Sequence, residues 1–528
     1  MATLNYPDKP LHEVMRDTVR RHSDKTAIWF EGNAITFAQF DLASNRLANA
    51  LRAIGLDSGD RLGLFLPNCP EYEVGFYAAM KLGAVVCPLN PSYRSAEITH
   101  ILNDSGSSIL LTHAKLLPFV QAVRGDLRSL HRIVVVGDND APRAERNVHR
   151  YCDLLASHSE DPPKTVVSVD QLGALPYSSG TTGMPKGVML THRNLVSNHL
   201  QFATASDLGP DDSYIVYLPL SHIYGAALMG MGMMTGLEQI ILERFDLATL
   251  VRLIEERHVT WVHVVPPVLL ALSTAPGLGK SQFRRVKFFF NAAAPLAPEV
   301  ARRVEERLGV HVIQGYGLTE ASPDTHHSPL TLERIKLESG GIPVADTEHR
   351  VVDLETGERV LDLGEVGEII VRGPQVMRGY WNAPQETAHA LRNGWLYTGD
   401  VGWIDREDYV FICDRKKEMI KYKGFSISPA ELEAVLLEHA DVADCGVVGA
   451  PDDEAGQIPK AVVVPRSGAK LDVAELSDFV AGRVAGYKQI RQWVIVDKIP
   501  RTPTGKILRR NLKNLPPNVA PFLAEKYK

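Results

Sequence analysis

Cysteine is scarce and scattered: Cys69, Cys87, Cys152, Cys413 and Cys445 are the five in the chain, and no two form a C-x-x-C pair. That spacing offers neither a disulfide framework nor a zinc site, so a reducing compartment, the cytoplasm, is expected. No long run of lysine or arginine occurs and the formal net charge is −6. This argues against a nucleic-acid binder, which needs a basic patch. It leaves nucleotides within reach, because loops and helix N-termini hold them locally. The opening MATLNYPDKPLHEVMRD lacks an apolar stretch of signal-peptide length, and the closing EKYK is not a peroxisomal tripeptide. The most apolar helical candidate, GAALMGMGMMTGL at 225–237, is too short to span a bilayer and is followed by Glu238. No transmembrane segment is expected; peripheral membrane contact is left open. Internal repeats and low-complexity tracts are missing too.

What is present is globular. At 528 residues, 45% apolar and 23% charged, the chain is too long for one core, and at least two domains are expected. Strand-like runs alternate with helix-like ones. RLGLFLP (61–67) is followed by EYEVGFYAAMKLG and then AVVCPL; WVHVV (261–265), VKFFF (286–290) and HVIQG (311–315) read as short buried strands. Between the last two, APEVARRVEERLG carries Pro298 near a helix start and Gly309 near its end. The alternation predicts βαβ units and sheets covered by helices, an α/β fold. A boundary is expected near 414–417, where short strands give way to the charged DRKKEMIKYKG and then to SPAELEAVLLEHADV, with Ser428, Pro429 and Glu431 as a capping-box start. CGVVGA and KAVVVP follow as strands. The division expected is a large N-terminal domain over 1–414 and a small α+β domain over 415–528.

One stretch has too few apolar residues to be core. YSSGTTGMPKGV (177–188) leaves the strand-like LGALPY and holds three glycines, two serines, two threonines and Lys186. Glycines let backbone N–H groups converge, hydroxyls add donors, and a lysine supplies the charge a polyphosphate wants. The spacing departs from the P-loop pattern, since Gly187 rather than a hydroxyl residue follows the lysine. Taken alone, such a run equally describes an exposed surface loop.

The whole string resembles the phosphate loop of the adenylate-forming enzymes, the superfamily of acyl-CoA synthetases, firefly luciferase and nonribosomal-peptide adenylation domains. LPLSHIYG (218–225), QGYGLTEASP (314–323), GWLYTGD (394–400), DRKKEMIKYKGF (414–425) and RTPTGKILRR (501–510) resemble that family's later signatures, in family order, and PLNPSYRSAEITHIL (88–102) resembles its N-terminal part. The resemblance implies a large domain of helix-covered sheets joined to a small mobile C-terminal domain, with ATP, Mg²⁺ and coenzyme A as co-substrates and cofactor.

The resemblance also implies roles. Ser178, Ser179, Gly180, Thr181, Thr182, Gly183 and Lys186 would grip the ATP phosphates, with Lys186 offsetting charge on the departing pyrophosphate. Glu320 would hold Mg²⁺, with Thr181 close to it, as a hard-oxygen cation requires. Gln314, Gly315, Tyr316, Gly317, Thr319 and Ile412 would surround the adenylate, Tyr316 stacking on adenine, while Asp400 accepts hydrogen bonds from both ribose hydroxyls and Arg415 reaches the ribose. Lys506 would lie between the substrate carboxylate and the α-phosphate, stabilising charge that builds at phosphorus. Lys421 would arrive only after rotation of the small domain about Lys417, and Lys423, Gly424 and Phe425 would meet CoA. His222, Tyr224, Gly225, Asn291, Ala292, Ala293 and Gly315 would line the acyl pocket, with His222 in an aromatic and apolar cluster at its mouth. Read bare, each has a plainer alternative: a turn carboxylate, a solvated cation, a core aromatic. Met229, Met231, Met233 and Met234 are expected to fill core.

The reaction implied is an AMP-forming acid–CoA ligation. A carboxylate attacks the α-phosphorus of ATP, and the acyl-adenylate then loses AMP to a thiol. The substrate expected is a fatty acid of medium to long chain or a related hydrophobic or aryl acid. Alternatives are a short or hydroxylated acid, a carrier protein in place of CoA, and a luciferase-like oxygenase. No carrier module in cis is expected, and KYKGFSISPAELE resembles the CoA-ligase and luciferase branch more closely. Asp324, followed by His326 and His327, stands where the family commonly has an apolar residue. It either faces solvent, pairs with a histidine, or reads a polar group on the acid. Ala292 stands where the family commonly has glycine, narrowing the space over it.

Overall fold

The computed structural model describes residues 3–137, 147–178, 184–294, 296–423, 425–452, 454–469, 471–502 and 505–516. Two compact units result: Met1–His349 with Val371–Tyr397, and Arg350–Ile370 with Thr398–Lys528. The α/β class is the one expected. Residues 398–414 group with the segment that follows them, Asp414 Oδ2 accepting from Ser428 Oγ and from Ala430 N–H, each at 2.9 Å. A division at 414 with a pivot at Lys417 concerns motion and is taken up as a proposal below.

Among the described residues the first unit holds two nine-stranded sheets. In one, Ser213–Val216, Trp261–Val264, Phe288–Asn291 and His311–Gly317 run parallel, and Asp324–His327 turns back antiparallel on His311–Gly317. In the other, Arg61–Phe65 and Val85–Pro88 run parallel, while Lys186–Thr191 lies antiparallel to Leu172–Ala174 and to Gly379–Tyr380. Parallel strands buried on both faces explain the unbroken apolar runs of the sequence. Local signals set the helices between them. Helix Pro298–Leu308 begins on the proline and ends at Gly309, whose φ of 70° suits a residue without Cβ. Thr191 and Asn194 form a reciprocal cap on helix His192–Ala205. Helix Ile223–Thr235 buries Met229, Met231 and Met233 completely, as core.

The second unit carries a five-stranded sheet in which Val442–Asp452 and Gly456–Pro465 form a long antiparallel pair. Ile420, Ile427, Leu432, Leu436, Val447 and Trp493 pack as its core. The Ser428 hydroxyl accepts from Glu431 N–H and starts helix Pro429–Leu437 where the sequence predicts, but the Glu431 carboxylate pairs with Lys488 rather than closing a capping box. Among the described residues, no helix is long and apolar enough to cross a membrane.

Candidate active site

In the first unit, Ser178 and Lys186 face each other across a strand pair, Lys186 opposite Ser178 and Gly187 opposite Tyr177. Ser179, Gly180, Thr181, Thr182 and Gly183 lie outside the described residues. The flanks of the loop therefore close into a hairpin, which brings both ends to one place. Lys186 forms an ion pair with Glu386 and lies 5.7 Å from the Tyr380 ring centroid. Strand Lys186–Thr191 also pairs with Gly379–Tyr380, which sets the tyrosine beside the loop.

Glu320 sits in the one-turn helix Thr319–Ala321 after His311–Gly317. Its Oε1 accepts from Ser178 Oγ at 3.2 Å and from Tyr380 Oη at 2.8 Å. Its backbone carbonyl accepts from Met377 N–H at 2.8 Å. A half-buried carboxylate fixed by two hydroxyls beside a phosphate loop is a fitting hard-oxygen ligand for Mg²⁺. Among the described residues no group of three His, Cys, Asp or Glu side chains could hold a metal by itself. One carboxylate completed by phosphate oxygens and water is the pattern Mg²⁺ favours. Tyr380 and Glu386 were missed in the sequence; no local pattern joins them to Glu320 and Lys186.

Gly317 lies where a Cβ would meet the Pro323 carbonyl oxygen at 2.2 Å, so the turn back into Asp324–His327 needs glycine. Asn291 and Gln314 are register neighbours on parallel strands, and Asn291 Nδ2 donates to Gln314 Oε1 at 3.0 Å. Gly315 follows on the same strand, and Ala292 and Ala293 follow Asn291, Ala293 with a φ of 72°. Tyr316 is half-buried, opposite His326, with the rings 5.6 Å apart.

Two acyl-pocket candidates have structural duties. His222 caps helix Ile223–Thr235, Nδ1 accepting from Tyr224 N–H at 3.2 Å. Histidine is not a favoured cap, so sequence reading misses this. Tyr224 is buried with its hydroxyl 3.1 Å from His263 Nδ1, and its ring packs with Phe202, His263 and Phe290. Burial pushes the Tyr224 phenol well above its usual range. At Gly225, a Cβ would meet the Pro219 carbonyl oxygen at 2.2 Å.

Asp324 does neither of the plainer things expected of it. It is 4% exposed, so it does not face solvent. The neighbouring imidazoles are occupied elsewhere, His326 by Thr325 and His349, His327 by Ser206 and the Ser328 carbonyl. Among the described residues, buried Asp324 Oδ2 has no hydrogen-bond partner, and burial pushes its carboxyl well above the usual carboxylate range.

The second unit assembles another cluster. Asp400 and Arg415 are register partners, with Nε 2.6 Å from Oδ1. Ile412 lies on the same strand, opposite Gly402. Lys506 is half-buried and held through backbone bonds to Thr502. Burial, then the Arg415 charge, lowers its ammonium pKa, while Glu418 and Asp400 oppose the shift. The Arg509 guanidinium bonds Glu418 at 2.8 Å and pairs with Glu433, tying the Arg415–Met419 turn to helix Pro429–Leu437. Lys417 is exposed in that turn, where Glu418 N–H and Met419 N–H both donate to the Arg415 carbonyl. Lys421 stands exposed on strand Ile420–Tyr422. Lys423 pairs with Glu454, and Phe425 is 55% exposed and stacks on Tyr487 at 4.7 Å; Gly424 lies outside the described residues.

Comparison with known proteins follows this division of labour. The family model described as AMP-binding enzyme matches residues 15–381, and that of the AMP-binding enzyme C-terminal domain matches 431–506. The chain belongs to the AMP-binding enzyme family. It is an AMP-forming acid–CoA ligase using ATP, Mg²⁺ and coenzyme A. The family member 4-coumarate–CoA ligase 1 of Petroselinum crispum is 37% identical over 516 residues, 96% of this chain and 93% of that one. ATP-bound MatB from Rhodopseudomonas palustris has the same fold, with a TM-score of 0.88 at 29% identity over 96% of this chain and 98% of its own. The anthranilate CoA ligase AuaEII in complex with anthranoyl-AMP also gives 0.88, at 25% identity over 96% of each chain.

Proposed function

We propose that this AMP-binding enzyme activates an aryl acid of the hydroxycinnamate type and transfers it to coenzyme A. The observation that carries the reading is the near full-length similarity to a 4-coumarate–CoA ligase. Phe202, Tyr224, His263 and Phe290 pack against one another, with Phe290 against Gly315, and an aromatic neighbourhood of this kind suits a flat acid. Within the expected range of hydrophobic acids, that similarity favours the aryl acid over the fatty acid.

In this reading Ser178 and Lys186, with the loop between them, hold the β- and γ-phosphates. Glu320, steadied by Ser178 and Tyr380, would hold Mg²⁺, which would supply neutralisation of phosphate charge. Asp400 takes the ribose hydroxyls, Arg415 keeps that carboxylate oriented, and Tyr316 stacks on adenine. Lys506 offsets repulsion between the acid and the α-phosphate as the first bond forms. The second step needs Lys421, and we propose rotation about Lys417 to bring it in, with 415–528 moving as the small domain and Lys423, Gly424 and Phe425 meeting CoA. The five cysteines are free thiols, with Cys152 exposed, which supports a reducing compartment such as the cytoplasm.

The test is acid-dependent ATP–pyrophosphate exchange and thioester formation across cinnamate, hydroxycinnamates, benzoate, octanoate and palmitate. The expected order puts hydroxycinnamates about tenfold or more above either fatty acid in kcat/KM. The opposite order overturns the aryl reading and leaves the ligase class intact.

A further inference from the structure

Asp324 opens a strand, Asp324–His327, that is buried from end to end. Its backbone is clamped from the neighbouring helix: Asp324 N–H donates to Asn198 Oδ1 at 3.0 Å, and Asn198 Nδ2 donates back to the Asp324 carbonyl at 2.7 Å. Asn198 is itself fully buried. Two bonds at one residue, added to its register opposite Gly317, fix the backbone from which the buried side chain projects. Strand and helix thus hold a carboxyl group in the interior, where Oδ2 finds no partner.

Such a group is costly to the fold. A buried polar atom without a hydrogen bond loses its hydration and gains nothing in exchange. An isobutyl or isopropyl side chain would pack there without that loss. The usual compensations are missing: both ring nitrogens of His326 and of His327 are occupied by other groups, and the nearby Tyr224 hydroxyl is committed to His263 and the Phe290 carbonyl. Burial also favours the neutral acid, which carries one O–H donor and keeps acceptor capacity. A neutral carboxyl can therefore donate to, or accept from, an uncharged hydroxyl.

We propose that Asp324 is a specificity-determining residue whose carboxyl group hydrogen-bonds a phenolic hydroxyl on the aryl acid. The proposal rests on the aryl-acid reading above and adds the polar group that the site selects. A site built to bond a hydroxyl rejects the analogue lacking it far more strongly than an apolar pocket rejects a missing methylene, because the site's own polar group is left unpaired. The acid substrate thus completes a hydrogen bond that the folded chain leaves open.

The experiment compares kcat/KM for adenylation of cinnamate with that of the better of 3- and 4-hydroxycinnamate, in wild type, Asp324→Val and Asp324→Asn. Wild type is expected to prefer the hydroxylated acid by about tenfold to a hundredfold. Asp324→Val should bring the ratio to about one or below, chiefly by raising KM for the hydroxylated acid and lowering it for cinnamate. Asp324→Asn keeps a donor and an acceptor at the same size and should retain most of the preference. A wild-type ratio near one overturns the proposal before any variant is made. So does an unchanged ratio in a folded Asp324→Val. If wild type adenylates fatty acids and neither aryl acid, the aryl reading has failed and the proposal fails with it.

Discussion

Arg415 reaches across an antiparallel strand pair to set its Nε 2.6 Å from Oδ1 of Asp400. The pair is unequal, for the carboxylate side chain is 5% exposed and the arginine side chain 37%. The buried member is the one proposed to bind ribose, and the exposed one pairs with it across the strands. Lys506 lies within electrostatic reach of both. Two proposed nucleotide contacts, Asp400 and Lys506, and the arginine that orients the first therefore share one electrostatic environment.

The first prediction separates binding from folding at this pair. Asp400→Asn keeps the shape and removes the charge. With Arg415 this exposed, solvent screens the interaction, so the stability loss should be about 1 kcal/mol or less. Losing a charge-assisted acceptor for ribose should raise the ATP KM by about tenfold or more. Denaturant unfolding beside ATP titration of the exchange reaction reads both. A large stability loss with an unchanged ATP KM would make Asp400 structural only.

The two lysines should divide the reaction. Lys506→Ala should abolish ATP–pyrophosphate exchange while thioester formation from supplied acyl-AMP survives, and Lys421→Ala should do the reverse. A pH profile sharpens the assignment. Burial and Arg415 lower the Lys506 pKa below the ordinary lysine value, so the ammonium loses its proton earlier as pH rises. Adenylation should fall at alkaline pH in wild type, and Lys506→Arg, which stays charged, should keep whatever activity it has to higher pH. Loss of the same half-reaction in both alanine variants would sink the assignment.

Glu320 gives a metal prediction with an internal control. Glu320→Gln should shift the Mg²⁺ titration of adenylation to higher concentration, with partial rescue by excess Mg²⁺. Tyr380→Phe removes one hydroxyl bonded to Oε1 and leaves the carboxylate, so its shift should be smaller. If Tyr380→Phe moves the titration and Glu320→Gln does not, the metal site is elsewhere.

What the sequence made legible was local. Pro298 and Gly309 mark both ends of their helix, and Ser428 marks the start of another, since caps act within one turn. The alternation of apolar strands and helices carried the fold class for the same reason. The glycine-rich loop, Glu320, Asp400 and Lys506 were visible as strings of residue types. Their partners were not. Tyr380 lies 60 positions from Glu320, Glu386 lies 200 from Lys186 and Asn198 lies 126 from Asp324. Those meetings are made by strand order and helix packing, which no short window encodes. His222 adds a duty that no pattern announced, its Nδ1 accepting from Tyr224 N–H to cap a helix.

The last prediction concerns a carboxyl group with no part in the reaction. Glu73 lies on helix Pro70–Leu82, fully buried, with Oε2 3.4 Å from Gln239 Nε2 and Oε1 without a partner. Burial raises its pKa from 4.5 to about 8, and the Gln239 bond opposes that only in part. The sign follows from proton counts. Between pH 4.5 and about 8 the unfolded chain has released this proton and the folded chain retains it, so unfolding is favoured as pH rises. Stability from this group is complete below 4.5, falls through the window and is gone above about 8. The slope contributed is at most about 1.4 kcal/mol per pH unit. Glu73→Gln keeps the size and a hydrogen-bonding amide but has no proton to release. Urea unfolding of the first unit from pH 5 to 9, followed in wild type and variant, should show a stability difference that grows in the variant's favour with pH and levels off near pH 8. Parallel pH curves for the two proteins would mean that Glu73 ionises in the folded state as it does in the unfolded one, and that the core around Gln239 admits water.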